Sequence, residues 1–142
     1  MKTTTDTTLD NFTQAYLVCA LWSENDDSDT PLENNYHIEQ LASVAMDTAK
    51  QDCALFQKQN EELLSQMYAA GHKPEQAGHD LWLTRNGHGA GFWDRGMGDL
   101  GNKLADAARD FKTTDLYVGD DGQLYLSMPA VDGNPTVKAP KL

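Results

Sequence analysis

An α+β domain is predicted, with N-terminal helices packed on a small, mostly antiparallel sheet of two hairpins with one intervening helix. Three observations lead to it. Apolar residues recur every three or four positions through residues 9–23 and 36–70, as one buried face of a helix requires. Asn86-Gly87 and the run "GDDG" (119–122) each stand between short apolar segments, where a tight turn favours glycine beside asparagine or aspartate. The 142 residues suit one domain that can bury a core without metal or disulfide staples. That domain is expected over residues 1–128, helical over about 9–71 and glycine-rich over about 72–128, with 129–142 as a mobile tail.

Residues 9–23, "LDNFTQAYLVCALWS", set Leu9, Phe12, Tyr16, Cys19 and Ala20 at helical spacing, and Leu17, Leu21 and Trp22 widen the apolar face. The acids, Ser, Asn and Pro of "ENDDSDTPLENN" (24–35) predict a solvated loop. From Ile38 to Met67 the helical spacing returns, and Gly71 followed by Pro74 supplies a stop. One helix over 36–70 would run roughly 50 Å, long for this chain, so a break is expected within 43–55. "DLWLTR" (80–85) alternates Leu81 and Leu83 with Trp82 and Thr84, which reads as a strand. Asn86-Gly87 would then be its hairpin turn and "AGFWD" (90–94) the returning strand. "DLGNKLADAARDF" (99–111) gathers Leu100, Leu104, Ala107, Ala108 and Phe111 on one side, giving the intervening helix. "DLYV" and "QLYLSM" around "GDDG" form the second hairpin. The tail holds three prolines and little to bury, hence its expected mobility.

Charge narrows the function classes. The net charge is −11, with seven acids against one lysine in residues 1–35 but six of each sign in 72–112. Direct nucleic-acid binding is disfavoured, because phosphate contacts need clustered Lys and Arg. No apolar run approaches the ~20 residues that cross a bilayer, and "MKTTTDTTLD" lacks the apolar centre of a signal peptide. The expectation is a cytoplasmic protein that does not contact membrane. Cys19 and Cys53 lie in helical apolar patterns and read as buried free thiols of a reducing compartment.

The stretch "LTRNGHGAGFWDRGMGDLG" (83–101) holds six of the eleven glycines. Its "GMGDLG" (96–101) is formally G-x-G-x-x-G, and Asp120 stands where a dinucleotide fold places its ribose-binding acid. Three features oppose that reading. The preceding "WDR" is not a buried strand end, Asp99 would repel a pyrophosphate at the helix start, and too little chain follows for a second βαβ half. No cofactor is therefore expected. In the first hairpin, Arg85, His88, Asp94 and Arg95 would cluster at one end. A small enzyme built there would use His88 as acid/base, Asp94 to orient it, and Arg85 with Arg95 to hold an anionic substrate. The competing view assigns the glycines to turns, Trp82, Phe92 and Trp93 to packing, and the Arg and Asp side chains to the rim. No metal is expected, since His79 and His88 would need Asp80 or Asp94 to complete a ligand set. "GDDG" lacks the alternating acids and distal Glu of a calcium loop.

Glu24, Asp26, Asp27, Asp29 and Glu33 crowd the 24–33 loop. Such a run is either a solvated face or a local acidic plug for a basic groove on another protein. A full duplex mimic is not expected, because DNA presents on the order of twenty phosphates over ~35 Å, well beyond the whole chain's net charge of −11.

The run "AGHDLWLTRNGHGAGFWDRGMGDLGNKLADAA", continuing into "DLYVGDDGQLY", resembles a family of small bacteriophage and mobile-element proteins. The resemblance covers about residues 76–126, with "LTRNGHGAGFWDRG" as its most specific part; residues 1–35 lie outside it. It carries no established activity, so it transfers no catalytic residue. It implies an accessory product acting inside a bacterial cell, where small acidic proteins often disable host machinery. The functional expectation is thus a non-catalytic protein that binds a host protein, with a nucleic-acid-binding defence complex (CRISPR or restriction) as target. Its contacts would be Glu24, Asp26, Asp27, Asp29, Glu33, Arg85, His88, Trp93 and Arg95.

Overall fold

The computed structural model describes residues 9–26 and 28–127; Asp27 and the 129–142 tail lie outside the described residues. The fold is α+β. Helices α1 (Asn11–Ser23), α2 (Ser43–Gln59), α3 (Glu61–Ala69), α4 (Pro74–Arg85) and α5 (Asp99–Arg109) precede one hairpin of β1 (Leu116–Val118) and β2 (Leu124–Leu126). Short 3₁₀ turns stand at Leu32–Asn34, Ile38–Gln40 and Phe92–Asp94.

Asp10 starts α1, its carboxylate accepting the Thr13 N–H at 2.8 Å, which satisfies one of the helix's orphan donors. Phe12, Tyr16, Leu17, Cys19 and Ala20 then turn inward. Both cysteines are free and buried, and burial pushes the Cys19 thiol up to about 12. Helices α2 and α3 meet at Asn60, whose side-chain amide donates to the Phe56 carbonyl at 2.9 Å. The break in the long helical pattern therefore falls at residue 60, beyond the expected 43–55 window. Residues 43–59 have no glycine or proline to interrupt them, and a length of 17 residues is easily accommodated along the core.

The expected first hairpin is instead helix α4. Pro74 occupies its first turn, where a missing N–H costs nothing. Every residue from Asp80 to Arg85 is buried, so both sets of the apparent alternation point into protein. Asn86-Gly87 ends this helix rather than turning a hairpin. The Gly87 N–H donates to the Thr84 carbonyl at 3.2 Å and the His88 N–H to the Leu83 carbonyl at 3.0 Å, with Gly87 at φ 72°. This is a Schellman termination. Residues 90–94 return as a 3₁₀ turn, pinned to α4 by the Phe92 N–H donating to Thr84 Oγ1 at 3.1 Å.

The core gathers around Phe56. Its ring stacks on Phe92 at 5.7 Å, tilts against Phe12 at 6.0 Å and meets Phe111 edge-on at 5.8 Å. Trp82 is fully buried against Tyr16 and donates its indole N–H to Ser23 Oγ at 2.8 Å. Helix α4 crosses α1 closely because Gly78 has no side chain: a Cβ there would overlap the Phe12 carbonyl oxygen and stand 2.8 Å from its carbon. The hairpin pairs Leu116 with Leu126, Tyr117 with Tyr125 and Val118 with Leu124. It docks on the helices when the Ala42 N–H donates to the Leu124 carbonyl at 2.9 Å. Of the two predicted hairpins, this second one forms. None of the described helices is long and apolar enough to cross a membrane.

Candidate functional site

The charged and aromatic groups of the 83–101 stretch separate into an internal set and a surface set. Arg85 belongs inside: its side chain is 1% exposed. The guanidinium donates to the Tyr16 hydroxyl at 2.9 Å, to Asp52 Oδ2 at 2.9 Å, and to the Phe111 and Lys112 carbonyls at 2.7 Å each. It also lies over the Phe111 ring, 5.6 Å from its centroid. Burial alone would disfavour its charge, but the Tyr16 and Asp52 oxygens hold it ionised. Arg85 thus ties the end of α4 to α1, to α2 and to the chain leaving α5, and it is sealed from any substrate or partner. The expected contact role of Arg85 is corrected accordingly.

Arg95 is held in a second ion pair. Its Nη2 donates to Asp80 Oδ1 at 2.7 Å and its Nε reaches both oxygens at 3.1–3.2 Å. Asp80 is wholly buried and the Arg95 side chain 26% exposed. Gln76 donates to the same carboxylate at 3.1 Å. The bidentate clasp, stronger than a single charged contact, fastens residue 95 to α4. No hydrogen bond or ion pair joins His88 to Asp94 among the described residues, and the sheet that was to align them does not form. The arrangement Arg85–His88–Asp94 is therefore not a catalytic set: one member is internal and the other two are not coupled. Trp93, 42% exposed, remains available on the 3₁₀ turn. Among the described residues, no three His, Cys, Asp or Glu side chains converge as a metal site.

The acidic loop is more ordered than a solvated run requires. Asp26 Oδ1 accepts the N–H groups of Ser28 at 2.8 Å and Thr30 at 3.0 Å. Leu32 is fully buried beneath the loop, so the segment is closed by Asp26 and anchored by Leu32. Asp29 and Glu33 stay exposed. Glu24 is different. Partial burial, followed by the like charge of Asp115, raises its carboxyl to about 7. In an unfolded chain the same group titrates near 4.3. The folded state therefore holds this proton more tightly, and the stability it brings is complete below about pH 4 and lost as pH rises through 7. Glu24→Gln is expected to leave the melting temperature unchanged at pH 4 and to raise it by about 3 °C at pH 8, read by thermal unfolding at both values. Equal effects at the two pH values would refute this account of Glu24.

Sequence reasoning missed a second surface. Val18 and Trp22 on α1 are 45% and 53% exposed, on the outer face of the helix that Asn11 and Gln14 begin. The Trp22 ring lies 5.9 Å from that of His79 on α4, tilted by 37°. Burial holds His79 below its ordinary value, the effect of nearby Asp80 only partly offsetting it, so the imidazole is neutral at pH 7. The signal was present in the excess of apolar residues in 15–22 over what one buried face needs.

An α+β scaffold with an acidic loop and an apolar patch is the class that these features define. Compared with known proteins, the chain matches no family model, no curated protein and no solved structure.

Proposed function

We propose that this chain is a non-catalytic accessory protein of a bacteriophage or other mobile element, which binds a host protein inside the bacterial cell and blocks a defence system. One observation carries the reading: the strong polar chemistry of the 83–101 stretch is spent internally, while carboxylates remain outside. Arg85 and the Asp80–Arg95 pair hold the fold together. Asp29, Glu33 and Trp93 are left facing solvent. An acidic surface of this kind suits a basic groove, such as one that holds nucleic acid, and charge complementarity of that type speeds encounter and selects the partner. The cellular context rests on the resemblance read in the sequence of residues 76–126.

Phage plating measures this directly. In hosts carrying a restriction or CRISPR system that targets the phage, expression of the protein should raise plating efficiency severalfold or more. The double variant Asp29→Asn, Glu33→Gln should recover less of it. Unchanged plating against every defence system tried, with the protein expressed and folded, would overturn the proposal.

A further inference from the structure

Helix α1 presents a stripe that is exposed among the described residues. Ala15, Val18 and Trp22 stand at i, i+3 and i+7, one above another on a helix surface, over about 10 Å of axis. The outer face of a surface helix is expected to be polar, as it is at Asn11 and Gln14, which are exposed. Here the inner face packs into the core, whereas Val18 and Trp22 are about half exposed. Trp22 is not loose: its ring rests beside His79, so part of the ordering cost of an aromatic anchor is met before any partner arrives.

Three shallow grooves share Val18, and two of them flank the stripe. The one toward α4, about 460 Å³, is lined by Ala15, Gln76, His79 and Arg95, with Glu75 at its edge. The one toward the 3₁₀ turns, about 230 Å³, runs past Leu21, Tyr36, His37 and Ile38, with Glu33 and Glu39 at its edge. The formal charges across this surface are mostly acidic. Arg95 is already matched by Asp80, and His79 is neutral at pH 7. Glu33, Glu39 and Glu75 are exposed and enter no ion pair among the described residues.

We infer that this face seats a basic amphipathic helix of the partner protein, its apolar side on Val18 and Trp22 and its Lys or Arg side chains meeting Glu33 and Glu39 on one flank and Glu75 on the other. The inference rests on the proposed binding role and deepens it by naming the face and the partner's chemistry. The mode is helix-in-groove recognition, anchored at i, i+3 or i+4, and i+7. A second copy of the chain fits poorly, because a two-fold contact places the same patch on both subunits and would set these carboxylates against their own copies. Anionic lipid meets the same repulsion.

The probe is a synthetic amphipathic Leu/Lys peptide of about five helical turns, with a Leu/Glu peptide of identical pattern as control. Binding is followed by fluorescence anisotropy at low salt. The full-length protein should bind the Leu/Lys peptide and not its Leu/Glu counterpart. Val18→Asp separates seating from bulk attraction because the two give opposite signs. The added carboxylate would strengthen a purely electrostatic association, but it should weaken a seated helix by about tenfold or more. Leu55→Asp adds the same charge at another exposed apolar site on α2 and should leave affinity unchanged or slightly higher. Circular dichroism confirms that both variants fold. Undiminished binding by Val18→Asp, equal binding of both peptides, or a wild-type dimer that Val18→Asp dissociates would each overturn the inference. Plating judges the broader function separately: Val18→Asp that retains protection removes this face from that role, whereas seating without protection leaves the face standing and removes the defence target.

Discussion

Arg85→Ala is expected to lower the unfolding free energy by about 3 kcal/mol, the low end of the range for breaking a buried ion pair from one side, because the Asp52 side chain left behind is 28% exposed. The loss has several parts that act together. Asp52 is left without its cation, the Tyr16 hydroxyl loses the Nη1 donor, and the Phe111 and Lys112 carbonyls lose theirs. The cavity under Phe111 adds to the cost. Arg85→Lys should recover only part of the stability, since one ammonium cannot point at four acceptors from three elements. Urea unfolding followed by circular dichroism measures both variants, with an unchanged m-value confirming that the same transition is observed. Combining Arg85→Ala with Asp52→Asn should cost less than the two separate losses added together, because partners in one network are not additive. A loss under about 1 kcal/mol for Arg85→Ala, the ordinary value of an exposed pair, would mean that the guanidinium does not lock these helices.

Gly78→Ala has an expected sign opposite to the one helix propensity gives. In an exposed helix the change stabilises by roughly 1 kcal/mol. In α4 the new methyl would overlap the Phe12 carbonyl, which is backbone of α1 and has no rotamer by which to move away. The two helices must separate, opening the contacts of Trp82 with Tyr16 and Ser23. The net effect is expected to be destabilisation by about 3 kcal/mol, with amide exchange speeding up first along α1 and α4. A stabilised Gly78→Ala protein would show that the helices do not approach as closely as described. Since α1 also carries Val18 and Trp22, the same variant should disturb the proposed docking face.

Much of the secondary structure was legible because it is one-sided. Helix α5 follows the 99–111 pattern closely, with Gly101, Leu104, Ala105 and Ala108 buried along one face. The 116–126 hairpin was legible because a turn of Gly and Asp leaves few alternatives, and Gly122 adopts φ 82° as such a turn demands. Helix α4 was not legible, and the cause is physical. A pattern of apolar and polar positions records a boundary between protein and water, and residues 80–85 have no such boundary on any side. Asn86-Gly87 misled for a related reason. It signals that Gly87 takes a positive φ, a need shared by hairpin turns and helix ends, and only the preceding conformation decides between them.

The candidate site divides in the same way. The acidic loop, its position and the internal thiols followed from local composition. The fate of each charged residue did not. Arginine and aspartate are usually exposed, so Arg85, Asp80 and Arg95 looked like surface groups, yet two ion pairs carry them into or against the core.

By itself the amino-acid sequence determined the α+β class, α1, α5, the last hairpin and the uneven charge, because these depend on neighbours within a few residues. The helical state of 80–85, the internal place of Arg85 and the open face at Val18 and Trp22 were decided only by tertiary structure. Each depends on what lies across the core from residues tens of positions away, and solvent exposure is a property of that packing rather than of the local chain.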